Sequence, residues 1–241
     1  MMTGVANKFK GGVAEVTTAF YNTLLLDGST QYVDIPTGMD LSTNDFTISM
    51  DINLAAHTTD SILLSQWQTS GNQRSIDSYI SKTNGTIVFN FSTNGSANFS
   101  VINTFVPSLD TWYNIIFERV GADLNTYIDG VLLGVPFNIG GSNIHSSTSF
   151  MRFGGTVTGF ISHDGSVNNL TVIMASGVVS ELQTVKQLDN YSTSITDNFL
   201  LGLPLNDGVV DPYIDRSVNG LDGTAVGSPS ITIPQLEFDL T

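Results

Sequence analysis

The chain has 241 residues, 41% of them apolar, which suits one all-β domain with extensions and is too much apolar content for a disordered chain. Eight Lys and Arg against 22 Asp and Glu give a formal charge of −14, which repels nucleic-acid phosphates, and the absence of cysteine excludes disulfides, thiolate metal centres and thiol nucleophiles. No apolar run approaches the roughly 18 residues of a membrane-spanning helix, so no membrane insertion is expected.

Ser (26), Thr (27) and Asn (20) far outnumber Glu (4) and Lys (4), a bias toward strands and turns rather than helices. Residues 1–19 are Gly-rich, lack a periodic apolar face and read as an N-terminal arm that orders on a partner. The first ten show no basic start followed by an apolar core, so no secretory signal is read there. From Phe20 the period becomes two. Phe46, Ile48, Met50, Ile52 and Leu54 alternate with Thr47, Ser49, Asp51 and Asn53, the clearest strand of the chain. Further strands are expected at 31–35, 61–65, 78–81, 86–91, 112–119, 125–129, 150–153 and 169–174, and Tyr127-Ile128-Asp129-Gly130-Val131-Leu132 reads as a type I′ hairpin. One short helix is expected from Gly177 to Gln187, capped by Ser176. After Asp189 prolines accumulate and the texture becomes loop-rich. The divisions expected are thus an arm (1–19), a body (20–188) and a C-terminal segment (189–241). The pattern predicts an all-β, antiparallel two-sheet jelly-roll sandwich, with Trp112, Phe46, Ile48, Met50, Phe89, Ile116 and Phe153 inside. Six Asn-x-Ser/Thr sequons, at Asn84, Asn90, Asn94, Asn98, Asn169 and Asn190, are read as a by-product of composition.

Several motifs in order resemble the concanavalin A-like jelly roll in its laminin-G-like branch. These are Leu26-Asp27-Gly28-Ser29 followed by Tyr32-Val33, then Phe46-Thr47-Ile48-Ser49, Thr111-Trp112-Tyr113-Asn114-Ile115, Tyr127-Ile128-Asp129-Gly130, Phe153-Gly154-Gly155 and Asn169-Leu170-Thr171-Val172. The resemblance implies a lectin-like sandwich with Trp112 packed between the sheets. It also points to Asp27 and Asn169 as oxygen ligands of a possible calcium ion. The C-terminal stretch Leu201–Gly208, Asp215–Thr224 and Leu236–Asp239 looks like the family's opening part in permuted order, either completing the same sandwich or serving as an attachment tail.

Chemistry is sparse. Glu15, Glu118, Glu181 and Glu237 form no pair spaced for glycoside hydrolysis, and His57, His145 and His163 are scattered, so no enzyme is expected and no cofactor is required. Trp67, Arg74 and Tyr79 lie in or beside the polar stretch Gln66–Asp77, read as a long loop, where an aromatic platform and a guanidinium fork could hold a sugar ring. These features lead to the expectation of a non-enzymatic structural and adhesive subunit of a bacteriophage virion: a capsid decoration, head-fibre or tail-associated protein displayed outside the particle. It would attach to other virion subunits through its arm or tail, form a homo-oligomer and meet a host surface glycan. The alternative is a secreted, extracellular carbohydrate-binding module of a bacterium.

Overall fold

The computed structural model describes residues 23–36, 39–42, 45–158, 162–184, 199–203, 215, 217 and 219–232. The N-terminal arm and the Leu236–Asp239 motif lie outside the described residues. In chain order the strands are β1 (Thr23–Asp27), β2 (Tyr32–Ile35), β3 (Phe46–Leu54), β4 (Ser61–Gln68), β5 (Gln73–Ser81), β6 (Thr86–Phe91), β7 (Phe99–Thr104), β8 (Trp112–Val120), β9 (Asp123–Ile128), β10 (Val131–Leu132), β11 (Phe137–Asn138), β12 (Met151–Phe153) and β13 (Asp164–Ile173). They are followed by helix α1 (Val179–Thr184), β14 (Phe199–Leu203), β15 (Thr224–Val226) and β16 (Ser230–Thr232).

Two antiparallel sheets result. The first runs β10-β9-β8-β3-β13-β1-β16, with β11 on β9 and β14 on β13. The second runs β15-β2-β12-β4-β5-β6-β7. Residues 199–232 therefore supply strands to both sheets, β14 beside β13, β15 beside β2 and β16 beside β1. The Asp129–Gly130 hairpin forms as expected, both residues at positive φ (51° and 76°), with Val131 opposite Ile128.

The core lies between the inner faces of the sheets. Ile48, Met50 and Ile52 of β3 and Ile115 and Phe117 of β8 meet Ile76 and Ile80 of β5 and Phe89 of β6, all buried. Phe89 stacks tilted against Phe117 at 4.8 Å and lies 6.5 Å from Phe46. Each such side chain contributes about 2 kcal/mol by leaving water, which is why strict alternation in β3 specifies its register.

His163 crosses this layer between the sheets. Its Nε2–H donates to the Asn53 carbonyl of β3 at 3.2 Å, and its Nδ1 accepts the Ser61 hydroxyl of β4 at 2.8 Å. A carbonyl can only accept, so the ring is the neutral Nε2–H tautomer. Its backbone joins the same two layers, with its amide on Gly154 and its carbonyl accepting from Gly28.

Three expectations need correction. Trp112 does not pack between the sheets: it is 43% exposed, opposite Asn53 on the outer face of the first sheet. Alternation in β8 sends Asn114, Ile116 and Glu118 to that same face, and its neighbour Tyr113 takes the inward position, edge-on to Phe105 at 5.2 Å. Ile116 is buried, but beneath α1, where it clusters with Ile173 and Leu182. The Ser176 hydroxyl donates to Asp45 at 2.8 Å; the segment entering α1 is held instead by Glu118, which accepts from the Gly177 amide at 2.7 Å and from the Tyr127 hydroxyl at 3.0 Å. Residues 185–187 of the expected helix lie outside the described residues. Replacing Tyr113 by Ala should therefore cost about 2 kcal/mol in urea unfolding, and Trp112→Ala less than about 1 kcal/mol. Equal losses would contradict this inside-out assignment.

Candidate functional site

The outer face of the second sheet carries one polar line across six strands. Val33 and Ile35, Met151 and Phe153, Leu64, Ile80, Phe89 and Val101 turn to the core. The intervening residues necessarily turn outward. Pairing then aligns Asp34 of β2, Arg152 of β12, Ser65 of β4, Asp77 of β5, Asn90 of β6 and Ser100 of β7.

The line is bonded along much of its length. Arg152 grips Asp34 with two nitrogens, at 2.7 and 3.2 Å, and donates to the Thr156 carbonyl at 2.8 Å. Its guanidinium lies 3.6 Å from the Tyr32 ring centroid and 5.2 Å from that of Phe150. Asn90 donates to Asp77 at 3.3 Å and accepts the Ser100 hydroxyl at 2.6 Å. Burial pushes the Asp77 carboxyl above its ordinary pKa, while Ser65 and Asn90 beside it pull the other way. Burial also raises the Tyr79 phenol, with the charges of Asp60 and Asp77 adding to it.

Trp67, Arg74 and Tyr79 all reach this face, from strands rather than from a loop. The stretch Gln66–Asp77 is the end of β4, a short 3-10 turn at Ser70–Asn72 and the start of β5. A bulge hides its alternation: Ser75 and Ile76 stand opposite the single residue Gln66, so Arg74 returns to the outer face opposite Trp67. The Arg74 guanidinium lies 5.8 Å from the Trp67 ring centroid and donates to the Ser96 carbonyl. Tyr79 stands apart from that pair, about 15 Å along β5, with Asp77 between. Sequence reasoning missed Tyr32, Asp34, Asp77, Asn90 and Arg152. Their signal was a polar residue at alternate positions of apolar strands; which strands adjoin is not written in that pattern.

Asp27 and Asn169 do not share a site. Asp27 ends β1, where its Oδ1 accepts the amides of Ser29, Thr30 and Gln31 at 2.8–2.9 Å and its Oδ2 the Thr30 hydroxyl at 2.7 Å. Burial raises its carboxyl, and these donors together outweigh that effect and bring it to about 2. Asn169 lies mid-β13, donating to Asp51 at 2.9 Å, five residues and about 16 Å from the Asp164 that pairs with Asp27. Among the described residues no three His, Asp or Glu side chains converge as a metal site.

Residues 27–175 match the family model of the concanavalin A-like lectin/glucanases superfamily. The chain belongs to this superfamily. Comparison with curated proteins returns no significant match. Among solved structures, a proposed carbohydrate-binding protein from Bacteroides ovatus is similar at TM-score 0.65 and 14% identity, over 89% of this chain and 60% of that one. The chain thus spans about 60% of the length of that protein. The heptameric SAP-like pentraxin of Limulus polyphemus aligns at TM-score 0.57 and 14% identity, covering 88% of this chain and 95% of its own. The sialidase CBM40 of Ruminococcus gnavus, bound to α2,3-sialyllactose, aligns at 0.52 and 15% identity over 67% of this chain and 95% of its own. At such identities the likeness is one of fold.

Proposed function

We propose that this protein is a non-enzymatic glycan-binding jelly roll, and that the outer face of the second sheet holds the sugar. One observation carries the reading: the aromatic rings Trp67 and Tyr79 stand on the same face as a line of donors and acceptors (Asp77, Asn90, Ser100). Sugars offer exactly complementary surfaces, apolar C–H faces that stack on rings and hydroxyls that bridge polar side chains. The similarity to carbohydrate-binding structures supports it. The Asp34–Asp77 pair lacks the geometry of glycoside hydrolysis. Asp34 and Asp77 are three strand spacings apart, about 14 Å, beyond the roughly 5–9.5 Å that glycosidase carboxylates need, and Asp34 is engaged by Arg152.

The chain has two tryptophans, one on each sheet's outer face, which makes the test direct. A glycan found on a broad array should change tryptophan fluorescence in Trp112→Phe and leave it unchanged in Trp67→Phe, while Trp67→Ala should weaken binding at least about tenfold. The face supplies its own donors, so a chelator should leave binding intact. Unchanged affinity in Trp67→Ala would remove the platform. Turnover of any glycan abolished by Asp77→Asn would end the non-enzymatic reading.

We further propose that the module is carried on a bacteriophage virion and reaches a host surface glycan, attached to other virion subunits through residues 1–19 or the C-terminal segment. The acidic chain with few Lys and Glu and an Asn/Ser/Thr-rich composition supports this setting. A secreted bacterial module fits the fold equally. Detection of the chain in purified particles supports the first setting; detection only in bacterial culture medium supports the second.

A further inference from the structure

The molecule carries its charge unevenly. From Thr83 to Leu109 and from Gly130 to Met151 the chain contains no Asp, Glu, Lys or Arg, in a protein whose formal charge is −14. The fold brings these two stretches to one side of the sandwich. β7 ends the second sheet and β10 ends the first. Phe91 joins them, lying 5.4 Å from Phe99 of β7 and 6.2 Å from Phe137 of β11. Gly134, between β10 and β11, stands so close to Asn103 of β7 that a Cβ there would lie 2.2 Å from the amide oxygen.

That side is also apolar and exposed. Ile102 (61% exposed), Val106 (75%), Val131 (70%) and Val135 (80%) project from it beside Phe99 and Phe137. Among the described residues β7 pairs only with β6, so its other edge has no strand beside it. Edge strands of monomers are ordinarily guarded by lysine, proline or inward-pointing charge, and the run Phe99-Ser100-Val101-Ile102-Asn103-Thr104-Phe105-Val106 has none of these.

We propose that this side is a self-association surface, on which β7 pairs antiparallel with β7 of a second copy across a twofold axis. The charge distribution selects that occupant. Two copies at −14 repel wherever their carboxylates face each other, and the two stretches that build this strip carry none; Asp123 of β9, beside β11, is held by the Asn138 amide at 2.7 Å. A twofold contact also sets each strand edge against its own like, so the unpaired amides and carbonyls of both copies are satisfied at once. Exposed apolar side chains on either side of the ladder then bury one another.

The sign of a charge change tests it. Lysine placed almost anywhere reduces the net negative charge and eases association, whereas Ile102→Lys sets two ammonium groups against each other across the axis. Sedimentation velocity from about 1 to about 100 µM should show a reversible dimer of the full chain. Ile102→Lys should weaken that dimer at least about tenfold, and Thr59→Lys, outside the strip, should leave it unchanged or tighter. Both positions are exposed, so neither substitution removes core packing. Amides of residues 99–104 should gain hydrogen-exchange protection as the dimer forms. A chain monomeric at about 100 µM, a dimer indifferent to Ile102→Lys, or one weakened equally by Thr59→Lys would overturn the proposal. Full protection of the β7 edge in the monomer would overturn it too, by showing that the chain covers its own edge.

Discussion

Lowering the pH from about 6.5 to about 4 is expected to remove about 3 kcal/mol of folding stability through His163 alone. Burial between the sheets drives its pKa down from 6.5 to about 4, and the nearby His57 adds to that, against hydrogen bonds to Asn53 and Ser166 that favour the charged form. The depressed folded-state value decides the direction. Above about 6.5 neither state holds the extra proton and the contribution is complete. Between about 6.5 and 4 the unfolded chain takes up a proton that the folded ring refuses, at a slope approaching 1.4 kcal/mol per pH unit. Below about 4 both states are protonated and the loss is finished. Other groups act in other windows. Asp27, lowered to about 2, loses its contribution as pH falls from 3.8 toward 2. Asp77, whose pKa is raised, lowers stability as pH rises above 3.8. Urea unfolding of the wild-type chain and of His163→Phe across pH 4–7 isolates the term as a difference of slopes, whatever the variant's stability at neutral pH. Parallel curves would show that the ring titrates normally and that its burial carries no electrostatic penalty.

The second large effect is expected at Gly165, beside that histidine. It sits where the start of β13 meets the end of β3, at φ +146°, and a Cβ built there would lie 2.0 Å from the Asn53 carbonyl oxygen and 2.8 Å from the Ala55 nitrogen. Both obstacles are backbone. Neither can swing aside, because Ala55 and Ala56 donate to the Asp164 carbonyl and the Asn53 carbonyl accepts from His163. Gly165→Ala must therefore either part the β3–β13 ladder or adopt a backbone conformation almost closed to L-residues. A cost of about 3–4 kcal/mol is expected, or roughly 10 °C in melting temperature for a chain of this size. Ser166→Ala, one residue on and half-buried, should stay within about 0.5 kcal/mol. Near-wild-type unfolding of Gly165→Ala would show that the junction relaxes freely.

Much of the architecture was legible in the amino-acid pattern because antiparallel sandwiches write themselves locally. Alternation in residues 46–54 and 86–91 and the Asp129–Gly130 turn each report an interaction that a short stretch makes with its immediate surroundings. β7 escaped because Ile102, an apolar residue, stands on its exposed face and breaks the alternation. β5 was read only from Ser78 because its bulge adds a residue before that point.

By itself, then, the sequence determined the all-β class, the main strands and the acidic character, since each depends on composition or on neighbours a few residues apart. Only the tertiary structure decided which side of each strand faces the core, because alternation defines two faces without saying which one another sheet will cover; hence Trp112 lies outside and Tyr113 turns inward. It likewise decided what those faces assemble. Asp34, Arg152, Asp77 and Asn90 are far apart along the chain and become one line through the strand order β2-β12-β4-β5-β6, and the uncharged stretches of β7 and β10–β11 become one strip only when two sheet edges meet. Long-range pairing sets both, and no local window of sequence contains it.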